Sequence, residues 1–176
     1  EDKSVSVHSL PLIHRTQTCG FLFREQPKDR NIIKARISEY NIPVRDIVKI
    51  KQGADFITPD GTRIPNDVLT LPPPVPRSYA YCSDTRPNKD LIPLLEGVDL
   101  LYHEATFVHA DAALAHETFH STARQAAELA AEAGAGRLLI GHFSSRYKDI
   151  TLLEKEAKEV FPDTTAVNDG DHFELD

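Results

Sequence analysis

The chain has 176 residues, of which 40% are hydrophobic and 27% are charged, and its formal net charge is −7. This length and composition predict a globular domain with a buried core, and they exclude a disordered or collagen-like chain. No apolar stretch reaches the length that a membrane-spanning helix needs, so no membrane partner is expected. The two cysteines, Cys19 and Cys82, show no paired spacing, which favours reduced thiols and a cytoplasmic location.

The first half of the chain contains short extended segments. Residues 5–12 alternate in polarity and, together with residues 20–24, predict a hairpin-like pair of strands. Residues 31–40 have a weak helical pattern that ends before a proline. An Asp-Gly pair predicts a tight hairpin over residues 56–64. The proline-rich run 72–76 predicts a stiff extended connector between this half and the next.

After the connector, predicted strands and helices alternate to the end of the chain. The segments are 78–82, 90–96, 98–102, 121–133, 137–140, 151–160 and 164–167. Such alternation predicts a layered α/β arrangement. The helix over 121–133 is the best specified, because Ser121 or Thr122 can cap its first turn and Gly134 and Gly136 can end it.

Three polar clusters each follow an apolar run of this second half. They are Ser83-Asp84-Thr85, His103-Glu104-Ala105-Thr106 and the run from Gly141 to Tyr147. Because ligands of layered α/β proteins bind outside the carboxyl ends of strands, the clusters predict one assembled site. Asp and His are ligands that borderline divalent metals prefer, with zinc first. Two interpretations of His103 stay open: it points back into the fold, or it supports a metal ligand from behind.

Five patches of the sequence together resemble one known family. They are His14-Arg-Thr-Gln-Thr-Cys-Gly-Phe, Ser83-Asp84-Thr85-Arg86, His103-Glu104-Ala105-Thr106-Phe107, His120-Ser121-Thr122 and His142-Phe-Ser-Ser-Arg-Tyr. In order and spacing they are similar to ribonuclease Z, the tRNA 3′-end endonuclease family of the metallo-β-lactamase superfamily. The family's upstream metal motif, of the form His-x-His-x-Asp-His, does not occur in this sequence.

The resemblance therefore implies the fold class of the chain. Residues 1–176 would be the C-terminal half of a metallo-β-lactamase domain, an α/β fold that forms half of an αββα sandwich. Without the upstream motif, such a half is expected to be unable to hold two zinc ions and to be inactive alone.

The resemblance also implies roles for individual residues. His14, Asp84 and His142 would be metal ligands, with Asp84 bridging two zinc ions. His120 would be the general acid for the departing ribose 3′-oxygen, and Glu104 would orient it and favour its charged form. For Glu104, helix capping is the structural alternative. Further substrate contacts are expected from Ser144, Arg146 and Tyr147, which could contact RNA phosphates or stack on a base. Arg86 is expected to be either a phosphate contact or a salt-bridge partner.

Charge is concentrated between Arg24 and Lys51, where eight basic residues face four acidic ones. A basic segment can bind phosphates, although it can also be an ordinary solvated helix face. The resemblance implies that residues 26–72 form an inserted, protruding arm that grips the tRNA body, with Lys49 and Lys51 among its contacts. Family members often carry a Gly-Pro element where this chain has Val44 and the residue after it.

Taken together, the resemblance implies a zinc-dependent endoribonuclease that removes the 3′ trailer from precursor tRNA and leaves a 3′-hydroxyl. It also implies a homodimer. Two alternatives stay open: a phosphodiesterase of the same fold acting on small diesters or cyclic nucleotides, and a catalytically incomplete RNA-binding relative. The basic segment favours an RNA substrate, because a small-molecule esterase does not need one.

Overall fold

Strands and short helices alternate over residues 4–175, the part of the chain that the computed structural model describes. The strands are β1 (Val5–Pro11), β2 (Cys19–Glu25), β3 (Asn31–Ile32), β4 (Phe56–Ile57), β5 (Arg63–Ile64), β6 (Thr70–Leu71), β7 (Ser78–Cys82), β8 (Leu100–Glu104), β9 (Arg137–Gly141) and β10 (Thr164–Ala166). The helices are α1 (Lys34–Glu39), α2 (Val44–Lys51), α3 (Asn66–Leu69), α4 (Ile92–Leu95), α5 (Ala112–Thr118), α6 (Ala123–Ala133) and α7 (Thr151–Lys158). Short 3₁₀ turns at Lys89–Leu91 and His109–Asp111 precede α4 and α5.

A six-stranded sheet organises residues 4–25 and 77–175, with the order β1-β2-β7-β8-β9-β10. The pairs β1/β2 and β2/β7 are antiparallel, whereas β7, β8, β9 and β10 run parallel. The predicted hairpin-like pair and the predicted layered α/β arrangement are therefore confirmed. Cys82, His103 and Ile140 are in register across the three central strands, so β7, β8 and β9 end at one edge. This edge is where the polar clusters begin.

Helices cover one face of this sheet, and α6 forms most of that layer. Its first turn has a reciprocal capping box between Thr122 and Gln125, and its last residue is followed by Gly134 in the left-handed region at φ 62°. The helix packs on α4, α7, β8 and β9 through small buried alanines, which allow a close approach. The buried sheet residues beneath these helices include Leu22, Ala80, Leu101, Leu138 and Ile140. The predicted helix over 121–133 is confirmed, with Thr122 as its cap.

The opposite face of the sheet is aromatic and partly open to solvent. Phe23 stacks on Tyr79 with ring centroids 5.8 Å apart, and Tyr81 stacks on Tyr102 at 4.8 Å. Phe21 is 41% exposed and Tyr81 is 39% exposed. This face therefore leaves apolar ring surface open to solvent. It is the surface expected where a second layer completes a sandwich.

Residues 26–76 form a second compact unit between β2 and β7 in the chain. The unit has its own small core of Ile42, Ile50, Phe56 and Leu69. Two small antiparallel pairs, β3/β6 and β4/β5, hold its ends and its turn together. The predicted hairpin over residues 56–64 is confirmed by the second pair. That residues 26–72 protrude as an arm stays a prediction.

Three local expectations need correction. The helix predicted over 31–40 begins only at Lys34, because Asn31 and Ile32 are drawn into pairing with β6. Helix α2, which follows Pro43, was not predicted, although a proline just before a helix is a common start signal. Helix α5 was also missed. Within residues 4–175, no helix is both long and apolar enough to cross a membrane.

Candidate active site

Asp84 and His142 face each other at the edge where β7 and β9 end. Both residues have left-handed backbones, with φ of 58° and 60°, a conformation that costs energy for residues other than glycine. Each one turns the chain sharply just past its strand. The turn brings His142 Nε2 to 3.0 Å from Asp84 Oδ1. Strained backbones of this kind concentrate at functional sites.

Glu104, at the end of β8, is fully buried, and four donors fill its carboxylate. Oε1 accepts hydrogen bonds from the Thr85 N–H at 2.6 Å and from His120 Nδ1 at 2.9 Å. Oε2 accepts them from the Thr106 hydroxyl at 2.6 Å and from the Ser121 N–H at 3.1 Å. A carboxylate offers about four lone-pair sites, so none remains for a metal. Glu104 is therefore placed to orient His120 and not to coordinate a cation.

Three histidines stand in a row along this edge. The ring centroids of His14 and His120 are 5.1 Å apart, and those of His120 and His142 are 5.4 Å apart. In every one the Nδ1 atom is engaged, which leaves Nε2 for another partner. The Nδ1 partners are the Phe119 carbonyl at 3.1 Å for His14, Glu104 for His120, and the Thr106 hydroxyl at 3.0 Å for His142.

The donor set suits a divalent metal. Asp84, Glu104, His120 and His142 each offer an atom within 4.8 Å of the others. Because Glu104 is saturated and holds His120, the donors left in this group are Asp84 and His142. His14 lies outside the group, one ring further along, beside His120. The structure thus gathers the predicted metal ligands and the predicted acid pair at one edge, with His14 at its margin.

Two arginines flank the row of histidines, each stacked on a phenylalanine. The Arg86 guanidinium lies 4.9 Å from the centre of the Phe119 ring, and that of Arg146 lies 5.0 Å from the Phe107 ring. Such cation–π contacts fix a guanidinium by its face and leave its N–H edge for other partners. Arg146 Nε also donates to the Ser144 hydroxyl at 3.2 Å.

Tyr147 makes more contacts within the fold than a residue that only stacks on a base would need. Its hydroxyl donates to Asp111 and accepts from the Val108 N–H at 3.2 Å. Desolvation, with the Asp111 bond next, raises the pKa of Tyr147 above its ordinary value. The ring packs against the main hydrophobic core. Its role as a substrate contact stays a prediction, and its observed contacts secure the loop after β9.

Lys49 and Lys51 belong to the second compact unit of the chain. Both lie on α2 in the unit of residues 26–76, where Lys49 is exposed and Lys51 is half-buried.

His103 points away from the site and into the helix-covered core. It is 1% exposed, and its Nδ1–H donates to the carbonyl of Glu104 at 2.7 Å. Within the described part of the chain, its Nε2 has no hydrogen-bond partner. Burial lowers the pKa of His103, which favours the neutral ring. Of the two interpretations of this residue, the geometry favours the one that points it back into the fold.

Several groups that build the site were given no role by the sequence. Thr106 and Thr85 are buried threonines inside the polar clusters, and a buried hydroxyl beside a candidate ligand is a readable signal. The Phe119 carbonyl and the Ser121 N–H act through the backbone. Main-chain groups leave no trace in residue identity, so they could not be found before the fold was known.

Comparison with known proteins agrees with this class of fold and site. The family described as the beta-lactamase superfamily domain matches residues 75–143, which contain Asp84, Glu104, His120 and His142. The metallo-beta-lactamase fold protein YhfI of Bacillus subtilis covers 94% of this chain with a TM-score of 0.58 and 21% identity, and the match covers 47% of that protein. The human short-form tRNase Z covers 96% of this chain with a TM-score of 0.54 and 22% identity, over 42% of its own length. The chain thus has the metallo-β-lactamase fold, whose proteins use metal ions.

Sequence similarity narrows the class. The ribonuclease Z of Parabacteroides distasonis is 55% identical over 170 residues, which are 97% of this chain and 56% of that protein. Other curated ribonucleases Z are 43–53% identical. The chain therefore belongs, over nearly its whole length, with the ribonucleases Z of the metallo-β-lactamase superfamily. It spans about half the length of these relatives, which agrees with the prediction of a C-terminal half.

Proposed function

We propose that this chain supplies part of a zinc-dependent endoribonuclease that cuts the 3′ trailer from precursor tRNA and leaves a 3′-hydroxyl. The proposal includes two zinc ions per complete site, a homodimer and a cytoplasmic location, as the resemblance to ribonuclease Z implies. It is supported by the identity of the relatives, which are named ribonuclease Z, and by the gathering of the predicted site residues at one sheet edge.

The observation that carries the chemistry is the pair formed by His120 and Glu104. His120 Nδ1 lies 2.9 Å from Glu104 Oε1, and the His120 side chain is 18% exposed whereas that of Glu104 is fully buried. A fixed, buried carboxylate holds the imidazole in one orientation, with Nδ1 toward Glu104. His120 can then give a proton from Nε2 to a group that approaches from the open side.

In hydrolysis of the scissile diester, a water oxygen bonds to phosphorus and the bond from phosphorus to the ribose O3′ breaks. The departing O3′ takes a proton from His120, and Glu104 balances the charge of the ring before that transfer. His14, Asp84 and His142 would hold the metal ions, which supply Lewis-acid stabilisation and a nucleophilic water when bound. Every other step proposed here belongs to side chains of this chain.

The stacked arginines explain how a phosphate could be held beside this proton donor. Phe119, which carries Arg86, directly precedes His120 in the chain, and Phe107 packs edge-on against the His120 ring at 6.2 Å. A phosphate bound by the N–H edges of Arg86 or Arg146 would therefore lie next to His120. The basic segment between Arg24 and Lys51, with Lys49 and Lys51, is proposed to grip the body of the tRNA away from the cut.

The test is cleavage of a precursor tRNA with a 3′ trailer by the full-length protein, with the new ends identified chemically. We expect a zinc-dependent cut that leaves a 3′-hydroxyl on the tRNA and a 5′-phosphate on the trailer, and a dimeric mass by light scattering. Cleavage of small diesters without cleavage of RNA would favour the phosphodiesterase alternative. Binding of tRNA without any cut would favour the incomplete relative.

A further inference from the structure

Thr106 places its hydroxyl where three parts of the site meet. The residue is 6% exposed, and its carbonyl accepts a hydrogen bond from the Ser144 N–H at 3.0 Å, which ties it to the segment after β9. Oγ1 lies 2.6 Å from Glu104 Oε2, 3.0 Å from both His142 Nδ1 and the His142 carbonyl, and 3.4 Å from His120 Nδ1. A β-branched side chain rotates little about χ1, so this hydroxyl has a defined position.

The number of protons decides the direction of these contacts. A threonine hydroxyl has one proton to donate and two lone pairs. The Glu104 carboxylate and the His142 carbonyl compete for that proton, and Glu104 takes it because its contact is the shorter and a carboxylate is the stronger acceptor. The contact with His142 is then a hydrogen bond from the Nδ1–H of His142 to Oγ1 of Thr106.

With Nδ1–H directed to Thr106, the other ring nitrogen of His142, Nε2, faces Asp84 Oδ1 at 3.0 Å. An imidazole nitrogen and a carboxylate oxygen are both common metal ligands, so this pair of atoms is placed to share a cation. The hydroxyl of Thr106 prepares this position for a cation, because it determines which ring nitrogen of His142 is free.

We propose that Thr106 is a positioning residue that fixes the tautomer of His142 and thereby presents Nε2 to a metal shared with Asp84. The same hydroxyl links that ligand to the pair of Glu104 and His120, so the metal centre and the proton donor are held by one side chain. The inference rests on the proposed function in one respect: the cation is the metal of that site.

The test compares the zinc affinity of Thr106→Val and Thr106→Ser in the full-length protein by competition with a chromogenic chelator. Valine keeps the shape but has no oxygen, so we expect zinc binding to weaken by roughly 10–100-fold, the usual effect of losing a partner behind a ligand. Serine keeps the hydroxyl and should stay close to the wild type. Thr164→Val is the matched control, because Thr164 is 2% exposed and donates to the Phe161 carbonyl, and it should leave zinc binding unchanged.

A second measurement does not depend on any variant folding. In the zinc-loaded wild type, the His142 Nδ1–H should give a proton resonance that exchanges slowly with water, because a buried oxygen accepts it. Unchanged zinc affinity in Thr106→Val, or rapid exchange of that proton in the wild type, would overturn the role of Thr106. Failure of the wild type to bind zinc at all would instead contradict the proposed function.

Discussion

The strand edge around Glu104 and the unit of residues 26–76 use charged side chains in opposite ways. At the edge, one carboxylate is fully buried and four donors fix it. In the unit, the ion pairs lie at the surface; the side chains of Arg36 and Glu39, for example, are 38% and 46% exposed. Buried charges are costly to leave unpaired, whereas exposed pairs contribute little.

The two regions therefore use charged side chains for different purposes. At the strand edge, charged groups hold neighbouring atoms in one geometry. Removing one partner there leaves the other groups without a hydrogen bond. In the unit of residues 26–76, we propose that the summed charge acts on a partner, so that single residues can be exchanged. Substitutions at the strand edge and substitutions in the unit of residues 26–76 should therefore have effects of different size and on different properties.

The largest effect is expected at the proton donor. In the full-length enzyme, His120→Ala should lower kcat by roughly 10²–10⁴, the range for loss of a general acid, while zinc content and substrate affinity stay near normal. His142→Ala should lose zinc and activity together. A nitrophenyl ester substrate, whose leaving group needs no proton, should be cut well by the His120 variant and poorly by the His142 variant. Loss of zinc in His120→Ala would mean that His120 is a metal ligand.

The next effect is on stability and compares two carboxylates directly. Glu104→Gln replaces one oxygen by an NH₂ group that must face donors such as the Thr106 hydroxyl or the Thr85 N–H, so unfolding should become easier by about 2–3 kcal/mol. Asp55→Asn is the matched change in the other unit. The side chain of Arg63, with the Asn66 N–H next, lowers the pKa of Asp55. The Asp55 side chain is 25% exposed whereas that of Glu104 is fully buried, so the loss of its charge should cost less. Urea unfolding of both variants measures the difference; equal costs would contradict the contrast.

A smaller effect is expected on binding of RNA. Lys49→Glu combined with Lys51→Glu should weaken tRNA binding by about tenfold at moderate salt and flatten its salt dependence, because fewer counterions are released. Hydrolysis of a small nitrophenyl diester should not change. Exchange of both lysines for arginine is the control that preserves the charge. Equal losses on both substrates would show that α2 supports the active site itself.

The smallest effect is a pH dependence from the buried His103. Because burial lowers its pKa in the folded state, the unfolded chain binds a proton there at a higher pH than the folded chain does. The contribution of the neutral ring is complete above the unfolded value of about 6.5 and is lost as the pH falls below it. Between about pH 7 and pH 5, the wild type should lose more unfolding free energy than His103→Gln. An equal pH dependence of the unfolding free energy in the wild type and in His103→Gln would exclude this contribution of His103.

Much of the fold could be predicted because its signals are local. Apolar runs marked β7, β8 and β9, and the cap at Thr122 with the glycine after Ala133 marked α6. Helix α2 was missed although Val44, Ile47 and Val48 have helical spacing directly after Pro43; at eight residues the helix is short, and its pattern could have been recognised. The start of α1 shifted because pairing between β3 and β6, which are distant in sequence, overrode the local pattern.

The candidate site could be predicted as a set of side chains, since strand ends and motif spacing name Asp84, Glu104 and His142. The sequence could not predict which of these side chains form hydrogen bonds with which partners. The saturation of Glu104, the engagement of Tyr147 with Asp111 and the hold of Phe119 on His14 are facts of three-dimensional distance. These contacts indicate that Glu104 orients His120 and that Tyr147 supports the loop, whereas metal coordination by Asp84 and His142 stays a prediction.

The left-handed backbones of Asp84 and His142 introduce conformational strain at this site, which lowers the stability of the fold. Glycine adopts that conformation freely, so a glycine at position 142 would relieve roughly 1–2 kcal/mol of strain while removing an imidazole. Asparagine at position 84 would fit the backbone as well as aspartate does and would carry no charge. A search for thermostable variants that scores melting temperature alone would therefore be drawn to the residues that the chemistry needs most.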